Sequence, residues 1–326
     1  MNTYYIGSFP PPYGGVTIKN DNLYNALKNE IDIEKIDLSE LKRKPFKLFR
    51  LFYIMSGRKN KFVVGVAGKN TRKRFSRLLY ILNRNAMNRS ILIVMGGTAA
   101  GDMAKDKSYG RYVKEFNKIY VETEGMKKTL TDAGICNVEI YPNGRFRPDE
   151  NIAGGNSSEK LRCVFFSLIC EEKGCNEILD AAKTLTDVDF VFYGMIEGSY
   201  EASFMNHVQA LQNVKYKGVF SGSPAEVFKE LSRYDVLLFP TRYKIEGVPG
   251  ILVEAKISGL AIIASDESYN SEIVADGESG FIIPYNTAVE LEFRCTFFIV
   301  INIVLYPPGF VVCSGKDLRE AMLCLV

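Results

Sequence analysis

The chain has no tryptophan and a single histidine, His207, among its 326 residues. One imidazole is too few for a multi-histidine metal centre and argues against a Ser-His-Asp triad, so His207 reads as a surface helix residue. Cysteine is present without a pattern: Cys136, Cys163, Cys170, Cys175, Cys295, Cys313 and Cys324 make an odd count with no C-x-x-C pair. Residues 1–13 lack a basic start, a long apolar stretch and a small-residue cleavage site, so no secretory signal is expected. Together these absences predict reduced thiols in a cytoplasm.

Acid is missing from one stretch. Residues 42–89 hold fifteen Lys or Arg and no Asp or Glu, although the whole chain carries only +3. Within it, residues 42–52 (KRKPFKLFRLF) and 72–82 (RKRFSRLLYIL) interleave cations with large apolar side chains. That pattern has three readings: a membrane-surface segment, a nucleic-acid-binding face, or a solvated face. No recognised nucleic-acid module accompanies the block. The favoured expectation is peripheral contact of residues 42–89 with an anionic membrane on its cytoplasmic face, and no nucleic acid.

What is there reads as a soluble α/β chain. Hydrophobic residues are 47% and charged residues 24%, and the length suffices for two domains with their own cores. An apolar strand at residues 4–7 runs into a Pro/Gly loop ending in Gly14-Gly15, then a helical pattern over 17–29. Strands at 62–66, 91–94, 118–121 and 138–141, with helices at 72–82 and 125–133, predict a parallel, doubly wound sheet. Residues 147–160 are polar and aperiodic and are the expected linker. A second series follows, with strands at 162–167, 189–193, 214–217, 236–239 and 261–264. Its helices are expected at 174–185, 200–211, 224–231 and 250–257. The domains expected are therefore 1–146 and 161–285, each Rossmann-like. From residue 286 the alternation stops, leaving an atypical tail, 286–326. Its apolar run at 295–306 is too short to span a bilayer and reads at best as a buried strand pair.

The informative segment runs from Phe239 to Ala255 (FPTRYKIEGVPGILVEA). A strand ends in a polar loop and a helix starts near Gly250, the place where open α/β sheets bind ligands. Unpaired N–H groups of Val248, Gly250 and Ile251 are candidates for holding a pyrophosphate; Pro249 has no N–H to offer. Glu246 before the helix and Glu254 one turn inside it are suited to accept hydrogen bonds from sugar hydroxyls.

The spacing of Glu246 and Glu254 matches the E-x7-E motif, and with its neighbours the chain resembles the retaining glycosyltransferases of family 4, which have the GT-B fold. Tyr141-Pro142-Asn143-Gly144 resembles that family's turn closing the N-terminal domain. Glu172-Lys173-Gly174, with Glu177, Leu179 and Ala182, resembles a conserved-type helix start of the same enzymes, and residues 259–266 and 272–281 continue the series. The resemblance spans roughly residues 4–284. It implies two tandem Rossmann-like domains facing across a cleft, the first on the acceptor side and the second binding donor. It also implies transfer of a hexosyl unit from a nucleotide diphosphate sugar to a saccharide acceptor, with retention, without a metal or other cofactor. A lipid-linked acceptor and a role in surface polysaccharide assembly fit the basic block. Carried over residue by residue, Glu246 contacts the donor sugar and the developing positive charge, and Glu254 holds the ribose hydroxyls. Lys173 neutralises the leaving diphosphate, and Gly14 and Gly15 let the backbone approach donor phosphate.

Three departures from that pattern stand out. Leu168 occupies the position where most such enzymes place an Arg, five residues before the Lys. No His lies near Val94-Met95-Gly96-Gly97-Thr98, and the tail lacks the expected returning helices. These features keep two alternatives open: a non-catalytic nucleotide-sugar-binding relative, and a sugar-nucleotide epimerase of the same fold.

Overall fold

The structure is a computed structural model that describes residues 2–11, 14–145, 160–284 and 288–301. It forms two compact units. The first takes in the chain up to Asn143 together with Ile245–Val248; the second runs from Gly144 to Lys244 and resumes at Pro249. The expected linker lies outside the described residues except for Lys160, as does the tail beyond residue 301.

The first unit alternates as expected but carries more elements than the sequence pattern showed. It runs β1 (Thr3–Gly7), α1 (Gly15–Leu27), β2 (Ile33–Asp37), α2 (Leu38–Arg43), α3 (Lys47–Ser56), β3 (Lys61–Gly65) and α4 (Lys69–Met87). It continues through β4 (Ile91–Ile93), α5 (Ala99–Lys105), α6 (Lys107–Val113), β5 (Lys118–Val121), α7 (Glu124–Asp132) and β6 (Val138–Ile140). The strands form one parallel sheet in the order β2-β1-β3-β4-β5-β6. Strand β2 escaped the sequence reading because its middle pair, Glu34 and Lys35, is exposed at the sheet edge, which breaks any apolar run. The strand order reverses between β1 and β3, and Asn20 of α1 staples that point. Its Nδ2 donates to the carbonyls of Ser8 and Gly65, both at 2.9 Å, while its Oδ1 accepts from the Tyr5 hydroxyl at 2.9 Å.

The second unit runs β7 (Arg162–Phe166), a 3-10 turn at Glu171–Lys173, α8 (Cys175–Thr184), β8 (Asp189–Tyr193), α9 (Glu201–Ala210) and β9 (Val214–Tyr216). Then come α10 (Pro224–Leu231), β10 (Val236–Phe239), α11 (Gly250–Ile257), β11 (Ala261–Ser265), α12 (Asn270–Ile273), β12 (Gly280–Ile283) and α13 (Ala288–Ile301). Its sheet is parallel in the order β12-β11-β10-β7-β8-β9. Because side chains alternate across a strand, Cys163 and Phe165 of β7 join one core face and Val164 the other. Both faces are covered, which is why these strands read as unbroken apolar runs. Helix α10 begins where the sequence placed it, because Pro224 takes the first position and Ser223 and Glu226 cap each other reciprocally.

The chain after residue 286 differs from the expectation of an irregular tail or strand pair. Residues 288–301 form α13, which packs against α8. Leu291, Cys295 and Phe298 repeat at helical spacing and enter the core of the second unit, where the Phe298 ring meets Phe281 at 5.4 Å. The helix hid in the sequence because Glu290, Glu292 and Arg294 are scattered through it while apolar Val289 and Phe293 are exposed, so no 3.6-residue period stands out.

The basic block is not a uniform cationic face. Arg72 is buried, its Nε donating to the Tyr109 hydroxyl at 2.6 Å and its Nη1 to the Met95 carbonyl at 3.0 Å. Lys47, Arg50, Lys69, Lys73 and Arg84 pair with Glu40, Glu34, Asp102, Asp106 and Glu115, all acids from outside the block. What stands out instead is α3. It buries Leu51, Ile54 and Met55 and turns Phe46, Phe49 and Tyr53 outward, 66%, 80% and 82% exposed.

Candidate functional site

In the second unit the strand order reverses between β7 and β10, and the segments after these strands carry Lys173, Gly250, Ile251 and Glu254, half of the residues singled out from the sequence. Beyond β7, Lys173 closes the 3-10 turn and is almost fully buried. Its ammonium lies over two rings, 5.2 Å from the Phe239 centroid and 4.8 Å from that of Tyr243, so aromatic faces stand in for part of its lost hydration. Beyond β10, the Arg242 backbone N–H donates to the Glu172 carbonyl at 2.7 Å, and its Nη1 donates to Glu177 at 2.6 Å. The two loops are thus tied together, which fixes Lys173 against Tyr243. Leu168 is half-buried and brings no charge.

Helix α11 starts at Gly250, with Pro249 as its N-cap. The first N–H groups of a helix have no carbonyl within it, so those of Gly250 and Ile251 face outward along the axis. Glu254 lies one turn on, and its Oε1 accepts from Arg145 Nε at 2.7 Å. The Arg145 side chain is 6% exposed. A Cβ at Gly250 would stand 1.7 Å from Arg145 Nη2, so any larger residue there would displace the guanidinium.

In the first unit Gly14 caps α1, and a Cβ built on Gly14 or Gly15 meets no atom closer than 4.0 Å. Among the described residues no neighbour requires glycine at either position. Glu246 and Val248 sit in the stretch that groups with this unit. Val248 has both backbone groups held by side chains. Its N–H donates to Glu122 Oε2 at 3.1 Å, and its carbonyl accepts from Asn143 Nδ2 at 2.7 Å. The Val248 N–H, expected to be open to pyrophosphate, is therefore engaged within the protein. Glu122 follows β5 and is buried with Lys19 of α1 as an ion pair. The carbonyl of Glu246 approaches Gly97 so closely that a Cβ there would lie 1.7 Å away, and the Gly97 N–H donates to the Ile245 carbonyl at 3.2 Å. The stretch bearing Glu246 is thus held by its backbone on both sides of that residue.

Arg145, Glu122 and Lys19 were not visible as site residues in the sequence. Their contacts join positions 109, 126 and 103 residues apart, and no local pattern announces such pairs. The remaining chemistry is sparse. His207 lies on α9 with Nδ1 at 2.9 Å from the Ser203 carbonyl. Among the described residues one trio, Cys170, Glu172 and Glu197, brings three potential metal-ligand atoms within 4.8 Å of one another. Both its carboxylates are exposed, and burial pushes the Cys170 thiol up, away from the thiolate a metal needs.

Residues 148–297 match the model of the glycosyl transferases group 1 family. The chain is 28% identical over 177 residues to the EpsF protein of Bacillus subtilis (strain 168), covering 54% of this chain and 44% of that one. It is also 28% identical over 108 residues to the Vi polysaccharide biosynthesis protein VipC/TviE of Salmonella typhi, covering 33% and 18%. The match thus spans less than half the length of these curated relatives. The structure resembles that of Anabaena Alr3699/HepE in complex with UDP-glucose, with a TM-score of 0.70 at 12% identity over 100% of this chain and 94% of that one. The α/β class with two Rossmann-like units, the GT-B fold, is therefore the one observed. The matched residues, which lie in the second unit apart from Ile245–Val248, are thus similar to the glycosyl transferases group 1 family.

Proposed function

We propose that the protein is a glycosyltransferase that moves a hexosyl unit from a nucleotide diphosphate sugar to a saccharide acceptor during surface polysaccharide assembly. One observation carries this reading. The unit matched by the family places a buried lysine and the open end of α11 at the carboxyl ends of the two strands where its sheet order reverses. Lys173 would neutralise the leaving diphosphate, helped by the N–H groups of Gly250 and Ile251. Glu254 would accept from the ribose hydroxyls and Glu246 from those of the donor sugar, while Gly14 and Gly15 leave room for phosphate beside backbone. Val248 would act by holding the Glu246 stretch in place. Positive charge from Lys173 and the helix end would serve where other transferases use a metal. Departure and attack on one face of the sugar would give retention. The UDP-glucose bound by the Anabaena protein makes UDP-sugars the first donors to test, and the Vi polysaccharide relative supports the polysaccharide setting.

A nucleoside diphosphate release assay tests the proposal, using UDP-sugars and membrane lipid extract as acceptor source. Donor-specific release that is lost in Glu246→Ala and Lys173→Ala establishes the transferase. Leu168, which leaves the β7 loop with one cation, favours a second reading as a nucleotide-sugar-binding protein without transfer. Donor binding without release, in every acceptor mixture, would establish that reading instead.

A lipid-linked acceptor and contact with an anionic membrane belong to the same proposal. Their support is α3, whose outward Phe46, Phe49 and Tyr53 have neighbouring cations at Lys44, Lys47 and Arg50. Aromatic side chains turned to solvent beside positive charge suit the headgroup layer of a bilayer. No helix among the described residues is long and apolar enough to cross a membrane. Sedimentation with vesicles is the check: stronger binding to phosphatidylglycerol than to phosphatidylcholine is expected, and equal binding to both would remove the electrostatic part.

A further inference from the structure

Glu122 follows β5, and its carboxylate divides its two oxygens between two elements of the first unit. Oε1 accepts from Lys19 Nζ at 2.5 Å, and Lys19 stands on α1 one turn past Gly15. Oε2 accepts from the Val248 N–H at 3.1 Å, two residues past Glu246. The side chains of Lys19 and Glu122 are buried, 6% and 4% exposed, and the Lys19 ammonium also lies 5.8 Å from the Tyr141 ring centroid. The start of α1 and the stretch Ile245–Val248, which groups with this unit, thus meet on one side chain.

The rest of that stretch is held as closely. The Ile245 carbonyl accepts from the Gly97 N–H at 3.2 Å, and the Val248 carbonyl from Asn143 Nδ2 at 2.7 Å. Between them, a Cβ on Gly247 would stand 2.7 Å from Glu122 Oε2 and 3.3 Å from Gly96 Cα. An ion pair buried this deeply often stabilises a fold no better than apolar side chains of equal volume, because both charges lose their hydration. What it adds is direction: two donors brought to the separate oxygens of one carboxylate are fixed relative to each other. Here those donors belong to the helix that begins at Gly14-Gly15 and to the stretch that carries Glu246.

We propose that Glu122 is a positioning residue for sugar transfer: through Lys19 it sets the start of α1, and through the Val248 N–H it sets where Glu246 meets the donor sugar. The inference rests on the reading of Glu246, Gly14 and Gly15 as donor-binding residues. Glu122 touches no reacting atom in this role and acts through the backbone it holds. A carboxamide in its place has one acceptor oxygen and can serve Lys19 or Val248, not both. Glu122→Gln therefore keeps the volume and unties one element from the other. A misplacement of about 1 Å in a group that meets the transition state can cost about 10²-fold in rate.

The test is nucleoside diphosphate release by the full chain from a panel of UDP-, GDP- and ADP-sugars, with membrane lipid extract as acceptor source, read as kcat and donor KM. Glu122→Gln, assayed well below its melting temperature, should lower kcat about 30-fold and move KM less than about threefold. Gly247→Ala leaves both charges of the ion pair in place and presses the stretch away from Glu122 Oε2; it should lower kcat about tenfold. On a Glu246→Asp background the loss from Glu122→Gln should shrink to less than about threefold, since misplacing a carboxylate already withdrawn changes little. A packing role alone would leave that loss the same on both backgrounds. A wild type that releases no diphosphate from any of the sugars overturns the transferase reading and this proposal together. An active wild type beside a folded Glu122→Gln of unchanged kcat overturns this proposal alone; if that variant does not fold, unchanged kcat in Gly247→Ala does so. A loss as large on Glu246→Asp as on wild type overturns it too, because Glu122 then acts other than through Glu246.

Discussion

The two units share a plan and differ in where the plan turns. In the first sheet the order reverses after a single strand pair, between β1 and β3; in the second it reverses after three strands, between β7 and β10. At the first reversal the chain invests in backbone shape. Asn20 pins the strand ends and Gly14 and Gly15 leave open space, while beyond β5 and β6 Glu122 and Asn143 grip Val248. At the second it gathers charge: Lys173, Arg242 with Glu177, and Arg145 with Glu254. The lesson is that one α/β architecture separates two tasks. One unit positions a loop by buried hydrogen bonds, and the other brings cations, two of them paired with carboxylates, to its strand ends.

The strongest way to break that comparison is through the buried ion pair. Glu122→Ala removes a carboxylate that holds Lys19 and the Val248 N–H, leaving a buried ammonium uncompensated. It should destabilise the first unit by about 3–5 kcal/mol in denaturant melts. Glu122→Gln, which can still accept from Val248, should cost less. If Glu122→Ala melts like wild type, the first unit does not depend on that grip. The counterpart in the second unit is Phe298→Ala, which empties the place where α13 seals the core against Phe281 and should cost about 3–5 kcal/mol. A near-neutral result would mean α13 adds little to the fold.

Lys173→Ala sharpens the other side. If the second unit is the charge-bearing one, kcat/KM for donor turnover should fall roughly 10²–10³-fold with melting little changed. A loss of stability as large as the loss of rate would recast Lys173 as a packing residue between two rings. The smallest effect expected is at the surface. Phe49→Ser with Tyr53→Ser should reduce binding to anionic vesicles about tenfold while leaving stability within about 0.5 kcal/mol. Unchanged vesicle binding would show that α3 does not meet the membrane.

Much of the second unit was legible because β7, β8, β10 and β11 are nearly continuous apolar runs bounded by turns. The helices at residues 224–231 and 250–257 start on signals that act locally, a capping box and a proline N-cap. Less of the first unit was legible. Edge strand β2 is half charged, and α5 and α6 are short helices joined end to end at Asp106, which caps the second of them by accepting from the Tyr109 N–H. The basic block shows the limit of counting charge. Fifteen cations without an acid suggested an interaction surface, yet Arg72 is spent on Tyr109 and Met95, and at least five others meet acids that lie elsewhere in the chain.

The amino-acid sequence by itself determined the α/β alternation, the E-x7-E spacing of Glu246 and Glu254, the Lys173-Gly174 turn and the family resemblance. All of these are local or periodic, set by side-chain size, turn chemistry and short spacings. Only the tertiary structure decided that the Val248 N–H is spent on Glu122, that Gly250 makes room for Arg145, and that residues 288–301 close a core. These outcomes depend on groups more than a hundred residues apart, or on a helix whose charged and apolar residues are not segregated along its length, and a buried donor takes whichever partner the packed chain brings within about 3 Å.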